Sequence, residues 1–276
     1  MAVDRNKEIQ LVREYVDAVE REFNALKIRP RLFILYPFDM MGLGLLAKAF
    51  GLARAGFVLL DAGLEDEAYG LMRSLVECTL TLRFLTQDED VKVFYKRVND
   101  YMRFAIADKQ YWMHWALQNG AGEPIEAEIR KFAKEWKIEE DPKLVKKHWS
   151  GKDGFAWKTN LEPHPLDDDT STDLTKKSVY AVDYHQTSSY IHCFSTGIDN
   201  YLPAEIVPYE IVAPSRSSET LFQKVIFMVL RYAHACIAYT LFGLNMERPQ
   251  EFNKLFSTAV ASVAPYQRRY TPRSGG

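Results

Sequence analysis

The stretch EDEAYGLMRSLVECTLTLRFLTQ, residues 65–87, decides how the rest of the chain is read. Glu65, Asp66 and Glu67 place three acids where the partial positive charge of a helix N-terminus favours them. Met72, Leu75, Val76, Leu80, Leu82, Phe84 and Leu85 then supply apolar positions on most of the circumference, which predicts a helix set deep in a core. Two charges interrupt that surface. Arg73 and Glu77 are four residues apart and therefore share one face. Ions among so many core residues are costly to desolvate unless they meet each other and further hydrogen-bonding groups. The bland reading is a pair that fixes helix register, and the functional one is part of a site.

Upstream, residues 4–27 carry Ile9, Val12, Tyr15, Val16, Val19 and Phe23 at helical spacing with charges between them, the pattern of an amphipathic surface helix. After the break at Arg29, Pro30 and Arg31, Asp39 is the expected N-cap of a second helix ending at Gly63. It is apolar nearly all round, through Leu43, Leu45, Leu46, Phe50, Leu52, Phe57, Val58 and Leu59, and is expected to be central. Downstream, residues 89–118 alternate aromatic and charged positions, including Phe94, Tyr95, Tyr101 and Phe104, and stop at Asn119 and Gly120. Short helices are predicted at 123–135 and 142–148, and a longer one at 173–201.

Residues 149–172, opening with Trp149, shift to Gly, Pro, Asp and Thr without periodicity and form the one long loop. Long loops in compact domains are usually functional, and Trp149 is placed to cover a cleft. Residues 204–212 alternate around Pro208 and are the one extended excursion expected. A strongly apolar helix begins after Ser217 and Ser218 and ends at Gly243, followed by a last helix at 249–261. The expectation is an all-α bundle of seven to eight helices forming a single domain over 1–262, with a basic, flexible tail at 263–276.

With 35 basic and 37 acidic residues spread along the chain, no global field draws it toward nucleic acid or an anionic membrane. Cys78, Cys193 and Cys236 lie far apart, which suits a reducing compartment. No apolar leader opens the sequence, and the two most apolar helices carry Lys48, Arg54 and Asp61, or Arg231 and His234, which argues against membrane spans. A cytoplasmic protein is expected. Glu-x-x-His repeats are absent and His185 and His192 stand seven apart, so no metal or cofactor is implied. Gly42 and Gly44 lack a preceding strand and make no phosphate loop.

The helix at 173–201 carries Tyr184, Ser188 and His192 at successive spacings of four, with Ser195 three further on. Phenol, hydroxyl and imidazole on one stripe can hold a phosphate or relay a proton, histidine titrating near neutrality. A core histidine beside a small serine is the bland alternative. Arg73 and Glu77 after an apolar helix, then Tyr184, Ser188, His192 and Ser195, then a long apolar helix, resemble the bacterial domain-of-unknown-function family five-six-seven-seven over residues 43–244. The resemblance implies a helical fold with Arg73, Glu77, Tyr184, Ser188 and His192 as its characteristic polar residues, and no established reaction. Cys193 replaces the family's usual glycine or proline after the histidine. Such families often resemble helical nucleotide-binding domains of prokaryotic toxin and phage-defence systems, whose ribonucleases carry an arginine four to six residues before a histidine. No histidine here has one at that interval.

Two functions are therefore expected. The first is a binding or regulatory module of phage defence or stress that takes a protein partner or a phosphorylated ligand at Arg73, Tyr184, Ser188, Ser195 and His192, with Trp149 over the cleft. The alternative is a metal-independent nuclease or nucleotide-processing enzyme with His192 as general acid or base, Arg73 stabilising charge and Glu77 orienting Arg73. Homodimerisation through the aromatic fourth helix completes the expected partners.

Overall fold

The computed structural model describes residues 5–29, 36–88, 90–118, 127, 134, 164–166, 183, 187 and 219–267, with the side chains of 105–118 and 264–267 left out. Every element among them is a helix: α1 (Arg5–Ala25), α2 (Pro37–Asp61), α3 (Glu65–Thr86), α4 (Val91–Gln118), α5 (Glu219–Gly243) and α6 (Gln250–Gln267). The predicted helices at 123–135, 142–148 and 173–201, the loop at 149–172 and the excursion at 204–212 lie outside the described residues apart from the few positions just named. By contacts the chain divides into two units, Met1–Arg83 with Pro165–Gly276, and Phe84–His164.

At the ends of α2 and α5 the sequence signals act as expected, with one exception. Gly63, at φ +73°, stops α2. Its N–H donates to the Leu60 carbonyl at 3.1 Å and the Leu64 N–H to that of Leu59 at 2.8 Å, satisfying carbonyls the helix leaves unmatched. Asn245, at φ 56°, ends α5 in the same way, the Met246 N–H reaching the Leu241 carbonyl at 2.9 Å. The exception is Asp39. The helix starts earlier, with Tyr36 at the cap and Pro37 in the first turn, where its missing N–H costs nothing, so Asp39 is a buried first-turn acid rather than the N-cap.

Contacts between helices fix their directions. Tyr69 meets Lys224, Thr79 meets Tyr232 and Cys236, and Arg83 meets Tyr239, so α3 and α5 run parallel. Arg5 with Glu219, Glu8 with Gln223 and Tyr15 with His234 make α1 parallel to α5 as well. The Arg13–Asp61 and Arg54–Asp17 pairs set α2 antiparallel to α1. Three helices therefore begin at one end, where Arg5 joins Glu65 at 2.6 Å and Glu219 at 3.0 Å, and Gln223 donates to Glu8 at 2.7 Å.

At the centre stands α5, buried from Leu221 to Leu241 except at Lys224, Phe227 and Arg231. α1 buries the stripe read from the sequence, Ile9, Val12, Tyr15, Val16, Val19 and Phe23. α2 is not central: only 39% of its most apolar window is buried, against 83% for α5. Both helices are long and apolar enough to cross a membrane by length and composition. α6 extends past the predicted end at residue 261, because Phe252, Ala259 and Val263 continue its buried stripe.

In the second unit Asp90 caps α4, its Oδ1 accepting the Lys92 N–H at 2.8 Å, which places the start after Glu89. Arg97 reaches back along the chain: it donates to the Phe84 carbonyl at 3.3 Å, lies 4.9 Å over the Phe84 ring and pairs with Asp88 at 3.5 Å. Buried His164 meets the Thr86 hydroxyl at 3.1 Å.

Candidate functional site

The site is built on the seam between α3 and α5. Thr79 fastens it. The hydroxyl lies 3.0 Å from the Leu75 carbonyl of its own helix, 3.4 Å from the Tyr232 carbonyl and 3.1 Å from the Cys236 sulfur. One turn further, the fully buried Arg83 donates to the Tyr239 hydroxyl at 3.3 Å and lies 6.0 Å from its ring centroid. Burying a guanidinium beside an aromatic ring and an oxygen keeps the cation solvated by protein.

Arg73 and Glu77 stand one turn apart on α3. Both are half-buried, and the Arg73 Nε is enclosed by protein. One turn before Arg73, the buried Tyr69 ring carries the Lys224 ammonium 5.3 Å from its centroid. On α5, Arg231 follows Lys224 two turns later on the same face. The Tyr232 hydroxyl donates to the Asp183 Oδ2, and the Arg231 Nη1 lies 3.8 Å from the same oxygen. Lys224 and Arg231 therefore follow one face of α5, with Asp183 as the carboxylate beside them.

Burial governs the electrostatics. It raises the Asp183 carboxyl above its ordinary range although the Tyr232 hydrogen bond, Arg231 and Lys224 all pull the other way. Tyr232 is held well above the usual phenol value, first by burial and then by the Asp183 charge, so it stays a neutral donor. Burial also pushes the Cys78 thiol up to about 11 and Cys236 higher still; both are free thiols. They are inert as nucleophiles at neutral pH.

Of the residues proposed from sequence, Arg73 and Glu77 are described, both half-buried on α3. Tyr184, Ser188, His192, Ser195 and Trp149 lie outside the described residues. Asp183, immediately before Tyr184, and Thr187, whose hydroxyl donates to the Asp183 carbonyl at 2.6 Å, are the described members of that segment. Sequence reasoning missed Tyr69, Asp183, Lys224, Arg231 and Tyr232. A signal was present: Lys224 and Arg231 are the two formal cations of an otherwise apolar α5 and stand seven apart.

His234 belongs to the core. It is fully buried, stacked 4.1 Å from the Phe256 ring, with Nδ1 3.3 Å from the Tyr15 hydroxyl and Nε2 3.4 Å from the Arg248 Nη1. Arginine only donates, so Nε2 accepts and the imidazole proton resides on Nδ1. No group of three or more His, Cys, Asp or Glu side chains is arranged to hold a metal among the described residues.

An all-helical bundle whose central seam carries a polar edge is the class these observations define. The chain belongs to the Family of unknown function (DUF5677), which it matches over residues 39–205. That match takes in α2, α3 and the Asp183 segment and ends before α5, a shorter reach than the resemblance to Leu244 read from motifs. No curated protein and no solved structure matches the chain.

Proposed function

We propose that the protein is a helical binding module that takes a phosphorylated small molecule at the α3 edge, with Arg73 as its principal anion contact. The observation that carries this reading is the half-buried placement of Arg73, one turn from the Tyr69–Lys224 pair, and of Glu77 a turn beyond it. A sheltered guanidinium reads phosphate oxygens by charge-assisted, geometrically specific hydrogen bonds, and the neighbouring carboxylate fixes its orientation. Tyr184, Ser188, Ser195 and His192 would complete the pocket from a helix over residues 173–201, and Trp149 would cover it. The free thiols Cys78 and Cys236 suit a cytoplasmic setting, and the family resemblance suggests a defence or stress role.

The test is native mass spectrometry of the purified chain, with a thermal-shift screen of phosphorylated metabolites. A co-purifying or stabilising ligand is expected, and Arg73→Ala should weaken its binding by about tenfold to a hundredfold, the loss of one charged hydrogen-bonded contact. A protein that purifies empty and shifts with no compound would sink the proposal.

A nucleotide-processing enzyme is the second reading. The raised proton affinity of Asp183 favours it, since a carboxyl poised to hold a proton beside two cations can serve acid–base chemistry. Mass-spectrometric turnover of nucleotides that is lost in both Asp183→Asn and His192→Ala supports it. Turnover undetectable in the unmodified protein removes it.

A further inference from the structure

α2 turns an apolar face to solvent. Met40, Gly44, Ala47, Gly51, Ala55 and Val58 recur at spacings of three and four, share one side of the helix and are all exposed. Of the large apolar side chains left exposed among the described residues, Val91 lies on α4, and the other two, Met40 at 51% and Val58 at 66%, stand toward the two ends of this face. Half-buried Met41, Leu43, Leu52 and Leu59 widen it. Charge is kept to the flanks: exposed Lys48 lies to one side, and to the other Arg54 pairs with Asp17 at 3.2 Å and with Glu20. A Cβ at Gly44 or Gly51 would meet nothing within 4 Å, so packing within its own chain calls for neither glycine, although alanine would favour the helix. A contiguous exposed apolar surface of this kind marks an interaction site.

We infer that this face is a homodimer interface in which two copies of α2 pack antiparallel about a two-fold axis at Gly51. The register follows from size. With Gly51 set on its counterpart, Ala47 meets Ala55, Val58 meets Gly44 and Met40 meets the exposed Ala62 of the second copy, so each large side chain finds a small one. A parallel pair would instead set Met40 on Met40 and Gly44 on Gly44. A surface complementary to itself in one register fits a second copy better than a bilayer, for which an alternation of sizes has no use. The charges allow it. Arg54 stays on one side of the seam and Lys48 on the other, the two Lys48 backbones standing about 9 Å apart along the axis at 1.5 Å per residue, close to the screening length in physiological salt. At that rise the face runs about 33 Å from Met40 to Ala62 and covers on the order of 500 Å² per copy with its half-buried flanks, about 1,000 Å² in all, the low end of specific interfaces. Association is therefore reversible, and the dilute chain is monomeric with α2 open. The inference is independent of the ligand reading, and it puts dimerisation on α2 rather than on the aromatic fourth helix.

The experiment is sedimentation velocity of the full chain from about 1 to 500 μM, a range that brackets the weak affinities of small interfaces. The sedimentation coefficient should climb reversibly from monomer toward dimer across it. Gly51→Leu adds a side chain at the axis, where a Cβ meets nothing in its own copy, so the fold, checked by circular dichroism, should hold while dimerisation weakens at least tenfold. Gly44→Leu should weaken it likewise. Val58→Ala placed in the same chain as Gly44→Leu should restore it, because the new leucine then meets an alanine across the seam. That rescue is a readout which damage to the fold would not produce. A chain that stays monomeric at every concentration overturns the inference. So does a dimer whose affinity Gly51→Leu leaves within twofold of the unmodified protein, since the interface then lies elsewhere, α4 included. A double variant no better than Gly44→Leu alone overturns the antiparallel register. Flotation of a monomeric chain with phosphatidylglycerol vesicles would assign the face to a lipid surface and overturn the homodimer as well.

Discussion

α2 and α5 are each 25 residues long and nearly equal in apolar character, yet 83% of the most apolar window of α5 is buried and 39% of that of α2. The difference lies in which residues supply the apolarity. α5 is built from large side chains, Phe222, Ile226, Leu230, Tyr232, Ile237 and Tyr239, all essentially buried. α2 owes part of its apolar count to the small residues Ala47 and Ala55, which are exposed, as is Val58 at 66%. Small residues raise hydropathy without requiring burial, so hydropathy alone does not rank two helices by centrality.

The largest effect that tests this contrast is truncation of a large side chain in each helix. Ile237→Ala should destabilise by about 2–5 kcal/mol, as cavity-forming core substitutions do. Val58→Ala should remain within about 0.5 kcal/mol, as at other exposed surface positions. Urea denaturation compares them directly, and equal losses would mean that the outer face of α2 is covered in solution.

A finer test stays within α2. A Cβ at Gly51 meets nothing within 4 Å, whereas one at Gly56 comes 3.0 Å from the Met72 Cε across the α2–α3 contact. Gly51→Ala should gain about 0.5–1 kcal/mol from helix propensity. Gly56→Ala should gain less or lose, since Met72 must move. A fall in melting temperature for Gly51→Ala would break the distinction between the two faces.

The smallest effect concerns the open stripe of α5. Burial raises the proton affinity of Asp183 in the folded state, so the native protein keeps a proton there after the unfolded chain has released its own. Stability should therefore fall as pH rises from the ordinary aspartate value, about 3.9, through the folded value, and level off above it. Asp183→Asn, which still accepts from Tyr232, should remove that fall, so the variant gains relative to the parent across the window. Thermal melts at several pH values decide it. A variant that loses ground as pH rises would show that Arg231 and Lys224 outweigh burial.

Much of the fold was legible in the chain because its signals are local. The α1 stripe, the acids opening α3 and the Gly63 stop each depend on residues within a few positions of one another. Arg73 and Glu77 were legible for the same reason: charges inside an apolar helix are conspicuous. The misreadings have a different origin. Pro37 started α2 ahead of Asp39, and α6 was carried past residue 261 by Val263, which is buried only because of its neighbours in space. The Lys224–Tyr69 and Asp183–Tyr232 contacts join residues far apart in sequence. Their register is fixed by packing, so no spacing rule could bring them together.

The long stretch of chain between α3 and α5 has a cost in the cell. α3 leaves the ribosome well before α5, and the face of α3 that carries Tyr69, Thr79 and Arg83 must wait for residues 219–243 before it is covered. At about 5–20 residues per second that wait is on the order of ten seconds. Over that interval the nascent chain displays an adhesive surface, which makes it a natural client for chaperones that engage emerging polypeptides and makes heterologous production sensitive to translation speed.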